Sequence, residues 1–478
     1  MSYFSRRCCR LLLVTIVITA VIFGPLPSPL SDGSASAFSV GEEREVGEKL
    51  LAIVRKEFKV IDDPDVVQYI NRVGGEILHA AGPQFFDYHF FIVDDKEFNA
   101  FAAPSGLIFI HSGLIKTMTS EGELLSVIAH EVGHAASRHI ADRIAKSAKV
   151  NAGTAALALA GIVLGAGPIS EALITGSLAA GTTLNLKFSR QDEEEADRLA
   201  YKYLQEMKRD PASMVSMLRK MYRIDRYRRG KVPAYLLTHP EPALRLNYVQ
   251  DLLLMENESI QYRAEDQFAF QRMKCRVLAI SEEPTTLLPA FQQQAADSAS
   301  TQDQRVMGLY GVSLLKLASA DFNAASDSLA KVMAYYPDKT VLTTDLAVIH
   351  AEAGRYDQAL PLFQQAHTAD PNCAYTKYNL ARVLWHLGRL SEAARLYEEL
   401  LAEMPDNADL HYQLGKIAAD LGDRAAGYYH LGVYHWYGGN AEMAKRHLHQ
   451  AIQELPEGRA EKKMARDLLA TIDRVEHR

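Results

Sequence analysis

The 478-residue sequence has little cysteine, no basic surplus and no unbroken apolar run long enough to cross a bilayer. Cys8 and Cys9 precede a short apolar stretch, which leaves Cys275 and Cys373 for the rest of the chain. Two cysteines cannot staple a protein of this size, which excludes a disulfide scaffold. They can pair only if the fold brings their Cα atoms within about 7 Å, so pairing and two separate thiols both stay open. Lys and Arg number 52 against 59 Asp and Glu, a net charge of -7. That balance excludes a broad basic face, and no nucleic-acid partner is expected. With 48% hydrophobic and 23% charged residues, the chain is neither wholly disordered nor collagen-like. Its length calls for at least two domains.

The apolar residues are unevenly spread. Residues 11–23 (LLLVTIVITAVIF) are uncharged and follow Arg6, Arg7 and Arg10. Thirteen residues fall short of a span, and Ala35-Ser36-Ala37 offers a small-residue cleavage site. The pattern predicts a signal peptide over 1–37, cleaved after Ala37, against the alternative of an uncleaved anchor. Its removal takes the net charge from -7 to -9. Ser5-Arg6-Arg7 fits a twin-arginine signal poorly, and the early cysteines do not form a lipoprotein cleavage box.

Internal repetition dominates the second half. Pro337, Pro371 and Pro405 are 34 residues apart, as are Gly354, Gly388 and Gly422. Ala325, Ala359 and Ala393 keep the same step, and so do Phe322, Tyr356 and Leu390. This period resembles tetratricopeptide repeats, helix hairpins that bury their apolar faces only against their neighbours. The interval from Pro405 to Pro456 is half a period too long. It predicts an extra helix near 408–421, before a last hairpin holding Gly432, Ala444 and Ala451. The charged tail after Pro456 reads as a solvated capping helix. Residues 261–305, rich in Gln, Ser and Ala, read as a helical linker, and the repeat domain as 306–478.

Residues 38–260 show no such period. Apolar runs at 88–93 (YHFFIV) and 107–110 (LIFI) predict strands. Residues 124–145 (LLSVIAHEVGHAASRHIADRIA) read as one helix. His130 and His134 lie one turn apart on one face, a spacing that lets both imidazoles bind one Zn²⁺. Glu131 projects beside them, placed to take a proton from an attacking water. Val127, Ile128, Ala129, Val132 and Ala135 bury the helix, and unpaired buried His and Glu would be costly without a ligand role. The metzincin pattern fails, because Ser137 and Ile140 stand where its glycine and third histidine belong. His139 lies off the metal-facing stripe and reads as structural.

A second acidic run, Ser189–Asp197 (SRQDEEEAD), supplies the missing ligand. Glu193 and Asp197 share a helix face, so Glu193 can ligate while Asp197 orients a ligand histidine from behind. By spacing alone Glu194 or Glu195 serves equally well, and a solvated charged face is the plain alternative.

HEVGH, then SRQDEEEAD about sixty residues later, then Thr238-His239-Pro240 with Arg245, resembles metallopeptidase family 48, the gluzincins. Asn99–Gly106 followed by LIFIHSGLI resembles that family's strand before its zinc helix. The likeness covers about 40–250, and the repeats extend it to the exported, repeat-bearing branch of the family. It implies an α+β zincin-type metalloprotease domain over 38–260, followed by an all-α tetratricopeptide-repeat solenoid. It further implies one Zn²⁺ per chain on His130, His134 and Glu193, with Glu131 as base. Asp197 corresponds to the aspartate that orients a ligand histidine. His239 corresponds to a histidine that approaches the metal or the transition-state oxyanion and can plug the open zinc position, and Arg245 to an arginine near the same oxyanion.

Residues 150–170 are uncharged, rich in Gly and Ala, and interrupted by Gly165, Gly167 and Pro168. Within 150–186, which lies between the ligand helices, a mobile membrane-proximal lid or buried hairpin is favoured over a core helix or a true span. The 98–110 segment is expected to offer an edge strand to an extended substrate. Together these features predict a zinc endopeptidase in the periplasm, possible membrane contact through 150–186 included. Its expected substrates are misfolded or misassembled envelope proteins, outer-membrane proteins among them. Its repeats are expected to dock the envelope protein-assembly machinery. The rival is a periplasmic chaperone or assembly scaffold with latent proteolysis. An intramembrane protease is a third reading, which requires 150–186 to span.

Overall fold

The structure, a computed structural model, describes residues 38–146, 151–163, 187–227, 230, 232–255 and 260–476. The expected signal peptide and residues 164–186 of the expected lid lie outside the described residues. The first half runs α1 (Val40–Glu57), α2 (Pro64–Ala81), β1 (His89–Val93), β2 (Ala100–Ala103) and β3 (Leu107–His111). It continues with α3 (Ser112–Thr117), α4 (Glu121–Ala136), α5 (His139–Lys146), α6 (Ala152–Val163) and α7 (Arg190–Glu206). Then come α8 (Ala212–Tyr227), α9 (Ala234–Thr238) and α10 (Pro242–Leu254).

The three strands form one sheet in the order β1-β3-β2, with β1 parallel and β2 antiparallel to β3. Their continuous apolar sequences are explained by burial on both faces. Phe90, Ile92, Ala102, Ile108 and Ile110 point into a core shared with α2, α4 and α8. Phe91, Val93, Phe101, Leu107 and Phe109 point the other way, against α1 and α6. Short β2 is the edge strand nearest α4, and all four of its residues are buried.

The helix expected over 124–145 is broken in two. Ser137 closes α4, and Arg138 takes a left-handed φ of 53° before α5 begins at His139. Tertiary contacts offset the backbone strain at Arg138. Its guanidinium donates to Glu43 at 2.7 and 3.0 Å and to the Phe38 carbonyl at 2.8 Å. Helix α6, the described part of 150–186, packs on α1 and buries Ala155, Ala156, Ala158, Leu159 and Ala160. Its 12 residues give about 18 Å of helix, well short of a bilayer. Among the described residues no helix is long and apolar enough to cross a membrane.

Residues 261–305 are more than a connection. They contain α11 (Gln267–Ser281) and α12 (Pro284–Ala296), and α11 packs on α2 and α3 on one side and on the first repeat helix on the other. Arg272 and Arg276 of α11 meet Asp63 and Asp65 at the start of α2 and Asp345 in the array. Ten helices follow: α13 (Gln302–Ala318), α14 (Phe322–Tyr335), α15 (Val341–Glu352), α16 (Tyr356–Ala369) and α17 (Ala374–His386). The last five are α18 (Leu390–Glu403), α19 (Ala408–Asp420), α20 (Arg424–Tyr437), α21 (Ala441–Glu454) and α22 (Ala460–Glu476). Gly354, Gly388 and Gly422 take φ of 72°, 74° and 84° where one helix turns into the next. That left-handed turn explains the glycine ladder.

The extra helix is α19, and α20 packs on both α19 and α21. Helix α22 is not solely a solvated cap. It closes the array on α21 and also reaches back to α1, where Arg474 Nη2 lies 3.1 Å from Glu48 Oε2. Cys275 and Cys373 are buried and unpaired. Burial pushes the Cys275 thiol up to about 12.

Candidate metal centre

Helix α4 is buried along its whole working length, Glu121 to His134. It crosses α7 closely because residue 133 is glycine. A Cβ there would stand 3.0 Å from the Ala196 carbonyl oxygen and 3.2 Å from its Cα. The crossing sets the two histidines of α4 against the acids of α7.

Helix α7 begins with a capping box. Ser189 Oγ accepts from the Asp192 amide at 3.2 Å, and Asp192 Oδ2 accepts from the Ser189 amide at 2.9 Å. This start sorts the acidic run. Asp192 caps and pairs with Arg143, and Glu194 is exposed. Glu195 accepts from Ser137 Oγ at 3.1 Å, while Glu193 and Asp197 turn inward and are each 1% exposed.

Four donor atoms converge. His130 Nε2 and His134 Nε2 are 3.0 Å apart, and Glu193 Oε1 lies 3.4 Å from His134 Nε2. His239 Nδ1 lies 3.3 Å from His130 Nε2 and 3.0 Å from Glu193 Oε1. Tetrahedral ligands about 2.0–2.1 Å from a Zn²⁺ ion stand about 3.3 Å from one another, so the spacing fits such an ion. Among the described residues, Glu131 Oε1 and His239 Nε2 are buried with no hydrogen-bond partner, as expected of groups that await a ligand or substrate. The set His130, His134, Glu193 and His239 thus suits a divalent metal in chemistry and in spacing.

The remaining predicted residues surround this cage. Asp197 Oδ1 is 2.9 Å from His130 Nδ1, on the ring edge away from the cage. Arg245 donates to both oxygens of Asp197 at 2.7 and 2.8 Å, and its Nη1 lies 2.8 Å from Glu193 Oε2. The sequence reading put Arg245 near an oxyanion; here the guanidinium is engaged with two carboxylates. Glu131 Oε2 accepts from the Ala102 amide of edge strand β2 at 2.9 Å, and its Oε1 lies 3.6 Å from His239 Nε2.

Burial pushes the Glu193 carboxyl up, but Arg245, His239 and His134 outweigh it and hold the group well below the usual range. Asp197 is likewise raised by burial and lowered further by Arg245 and His130, for a net fall. Burial dominates at His134 and holds it well below its ordinary value, so the ring is neutral, as a ligand must be. A cavity of about 130 Å³ opens between α7 and α10 beside Glu193 and Arg245. A larger one, about 400 Å³, lies between α2, β1 and the repeat loop 403–407, away from this cage.

Comparison with known proteins agrees with this geometry. Peptidase family M48 matches residues 64–253, and tetratricopeptide repeats match 313–374 and 350–417. Residues 64–253 are a peptidase family M48 domain. The chain is a metallopeptidase in which that domain precedes a helical repeat region. It is 27% identical over 424 residues to the beta-barrel assembly-enhancing protease of Escherichia coli (strain K12), covering 86% of each chain. Against the protein of that name from Yersinia pestis it is 28% identical over 311 residues, 64% of this chain and 63% of the other. The mitochondrial metalloendopeptidase OMA1 of Schizosaccharomyces pombe is 29% identical over 185 residues, 39% of this chain and 52% of that one.

Phe188 and Tyr235 at the M48 site escaped the sequence reading, and His139 was read there as structural. Phe188 stacks on His134 at 3.9 Å, and its amide donates to the Thr238 carbonyl at 2.9 Å. Tyr235 stacks on His239 at 4.3 Å, and its place one helical turn before His239 was the signal available. His139 Nδ1 lies 2.9 Å from His134 Nδ1, a contact made by the helix break at Arg138.

Proposed function

We propose that this chain is an exported zinc endopeptidase that hydrolyses misfolded or misassembled envelope proteins, outer-membrane proteins among them, in the periplasm. The observation that carries the reading is the cage of His130 Nε2, His134 Nε2, Glu193 Oε1 and His239 Nδ1, with Glu131 beside it. The envelope role draws support from the name beta-barrel assembly-enhancing protease, borne by a relative aligned over 86% of both chains. His130, His134 and Glu193 hold the ion. When Zn²⁺ is bound there, it supplies a Lewis acid for the scissile carbonyl.

The other roles fall to named atoms. Glu131 accepts the proton of the attacking water and passes it to the leaving amine. Asp197 fixes the ring of His130 and its tautomer. Arg245 balances the buried charge of Glu193 and Asp197, and so keeps both ionised. Strand β2 offers its outer edge to an extended substrate, whose backbone competes with Glu131 for the Ala102 amide. Recognition through backbone suits unfolded polypeptide. The repeats present helix faces for docking partners, the assembly machinery in particular.

His239 Nδ1 stands at the fourth corner of the cage, where it would take the place of the attacking water once the ion is bound. A scaffold without hydrolysis would have no use for four buried ligands and a base, and the peptidase reading is preferred over it. Replacing His239 with Ala is expected to raise cleavage of an unfolded protein such as casein by about tenfold. A fall in activity at unchanged metal content would assign His239 to catalysis instead of closure.

A further inference from the structure

His134 has two ring nitrogens, and the structure gives each a different neighbour. Its Nε2 belongs to the cage, 3.0 Å from His130 Nε2 and 3.4 Å from Glu193 Oε1. Its Nδ1 lies 2.9 Å from His139 Nδ1. Only one proton fits between those two nitrogens. A histidine that gives its Nε2 lone pair to an ion carries its proton on Nδ1. His134 therefore donates, His139 Nδ1 accepts, and the proton of His139 sits on Nε2. That Nε2 faces Glu195 Oε2 at 3.6 Å, and the other Glu195 oxygen accepts from Ser137 Oγ at 3.1 Å.

His130 provides the contrast. Its outer nitrogen meets a carboxylate directly, Asp197 Oδ1 at 2.9 Å. His134 meets its carboxylate one ring further out. The detour depends on Arg138, whose left-handed turn brings His139 back under α4 instead of onward along it. His139 is 6% exposed, and the Phe188 ring covers the face of His134 at 3.9 Å, so the His134 ring has little freedom to turn.

We propose that His139 is a positioning residue for metal capture, aligning His134 through the Nδ1–Nδ1 hydrogen bond, with the Glu195 carboxylate facing the far nitrogen of His139. The inference rests on the metal-site reading above. It separates the acidic run into three duties: Glu193 in the cage, Asp197 behind His130, and Glu195 behind His134 by way of His139.

The test compares His139→Asn with His139→Leu in the full chain. Asn and Leu are similar in size, but only Asn keeps an acceptor oxygen near the place of Nδ1. Zn²⁺ affinity is read by competition with a chromogenic chelator, and the apo-proteins are compared by thermal unfolding. His139→Leu is expected to bind Zn²⁺ about 10–100-fold more weakly than the wild type, and His139→Asn within about threefold of it. Glu195→Ala falls between, because its carboxylate is partly exposed. Equal affinities for the Asn and Leu variants, whether both tight or both weak, overturn the role of His139. A wild-type chain that binds no Zn²⁺ overturns the metal-site reading itself and not merely this refinement of it.

Discussion

The peptidase domain and the repeat array use burial in opposite ways. In the domain, an otherwise apolar core encloses a polar set: His130, Glu131, His134, Glu193, Asp197 and His239 are each at most 2% exposed. In the array, the core runs through small and aliphatic residues such as Ala325, Ala359, Ala393 and Leu400, all fully buried. A buried polar set is stable only when every member has a partner, so the site is intolerant of change and its parts act together. An array of hairpins packs neighbour on neighbour and absorbs local damage. The lesson is that chemistry is concentrated where the chain is least forgiving, and docking surface where it is most so.

The array should therefore be separable from the domain except at the joint, and the joint is the first place to break the comparison. Arg272 is 4% exposed at its side chain and faces Asp65 and Asp345 from opposite halves. Arg272→Ala leaves Arg276 alone against the buried carboxylates of Asp63, Asp65 and Asp345 and is expected to lose about 3 kcal/mol in chemical denaturation. The loss should appear as two resolved transitions. A single transition at the wild-type midpoint would show that the joint contributes nothing.

A smaller effect is expected at Asp62, where the peptidase domain meets the repeat segment that holds Asp406, Asn407 and Asp409. Burial pushes its carboxyl up to about 6, with Asp409 and Asp406 adding and Arg55 opposing. Folding thus favours the protonated form. The penalty is present above pH 6 and disappears as pH falls toward 4. Asp62→Asn should raise stability at pH 7 by about 1–2 kcal/mol and flatten the profile between pH 4 and 6. Unchanged stability across that range would remove Asp62 from the account.

The smallest effect sharpens the contrast from the array side. Gly388 has a φ of 74°, and an added Cβ would meet nothing within 4 Å. Gly388→Ala therefore adds only backbone strain, about 1 kcal/mol, with peptidase activity unchanged. A large loss of activity would mean that the array governs the site more tightly than its packing implies.

What could be read beforehand follows the same division. The period of 34 announced the repeats because each hairpin repeats its own local rules, down to the glycine at each turn. HEVGH announced the metal helix because i and i+4 histidines need no tertiary information. The duties of Glu193, Glu194 and Glu195 were left open by spacing, since three adjacent acids all fit a helix start. Only the crossing at Gly133 and the cap at Ser189 sort them. The break at Arg138 was illegible, because nothing local favours a left-handed arginine there and its partners lie about 95 residues away. The return of α22 to α1 was equally hidden, as contacts between chain ends leave no periodic trace.

The central claim is that this chain cleaves peptide bonds at a metal cage with Glu131 as its base. The most direct measurement is Zn²⁺ content together with casein cleavage for the wild type and Glu131→Gln. The account predicts about one Zn²⁺ per chain in both proteins, with cleavage lowered at least about 10²-fold in the variant. Equal cleavage by the two proteins, or a wild type without metal, would contradict it.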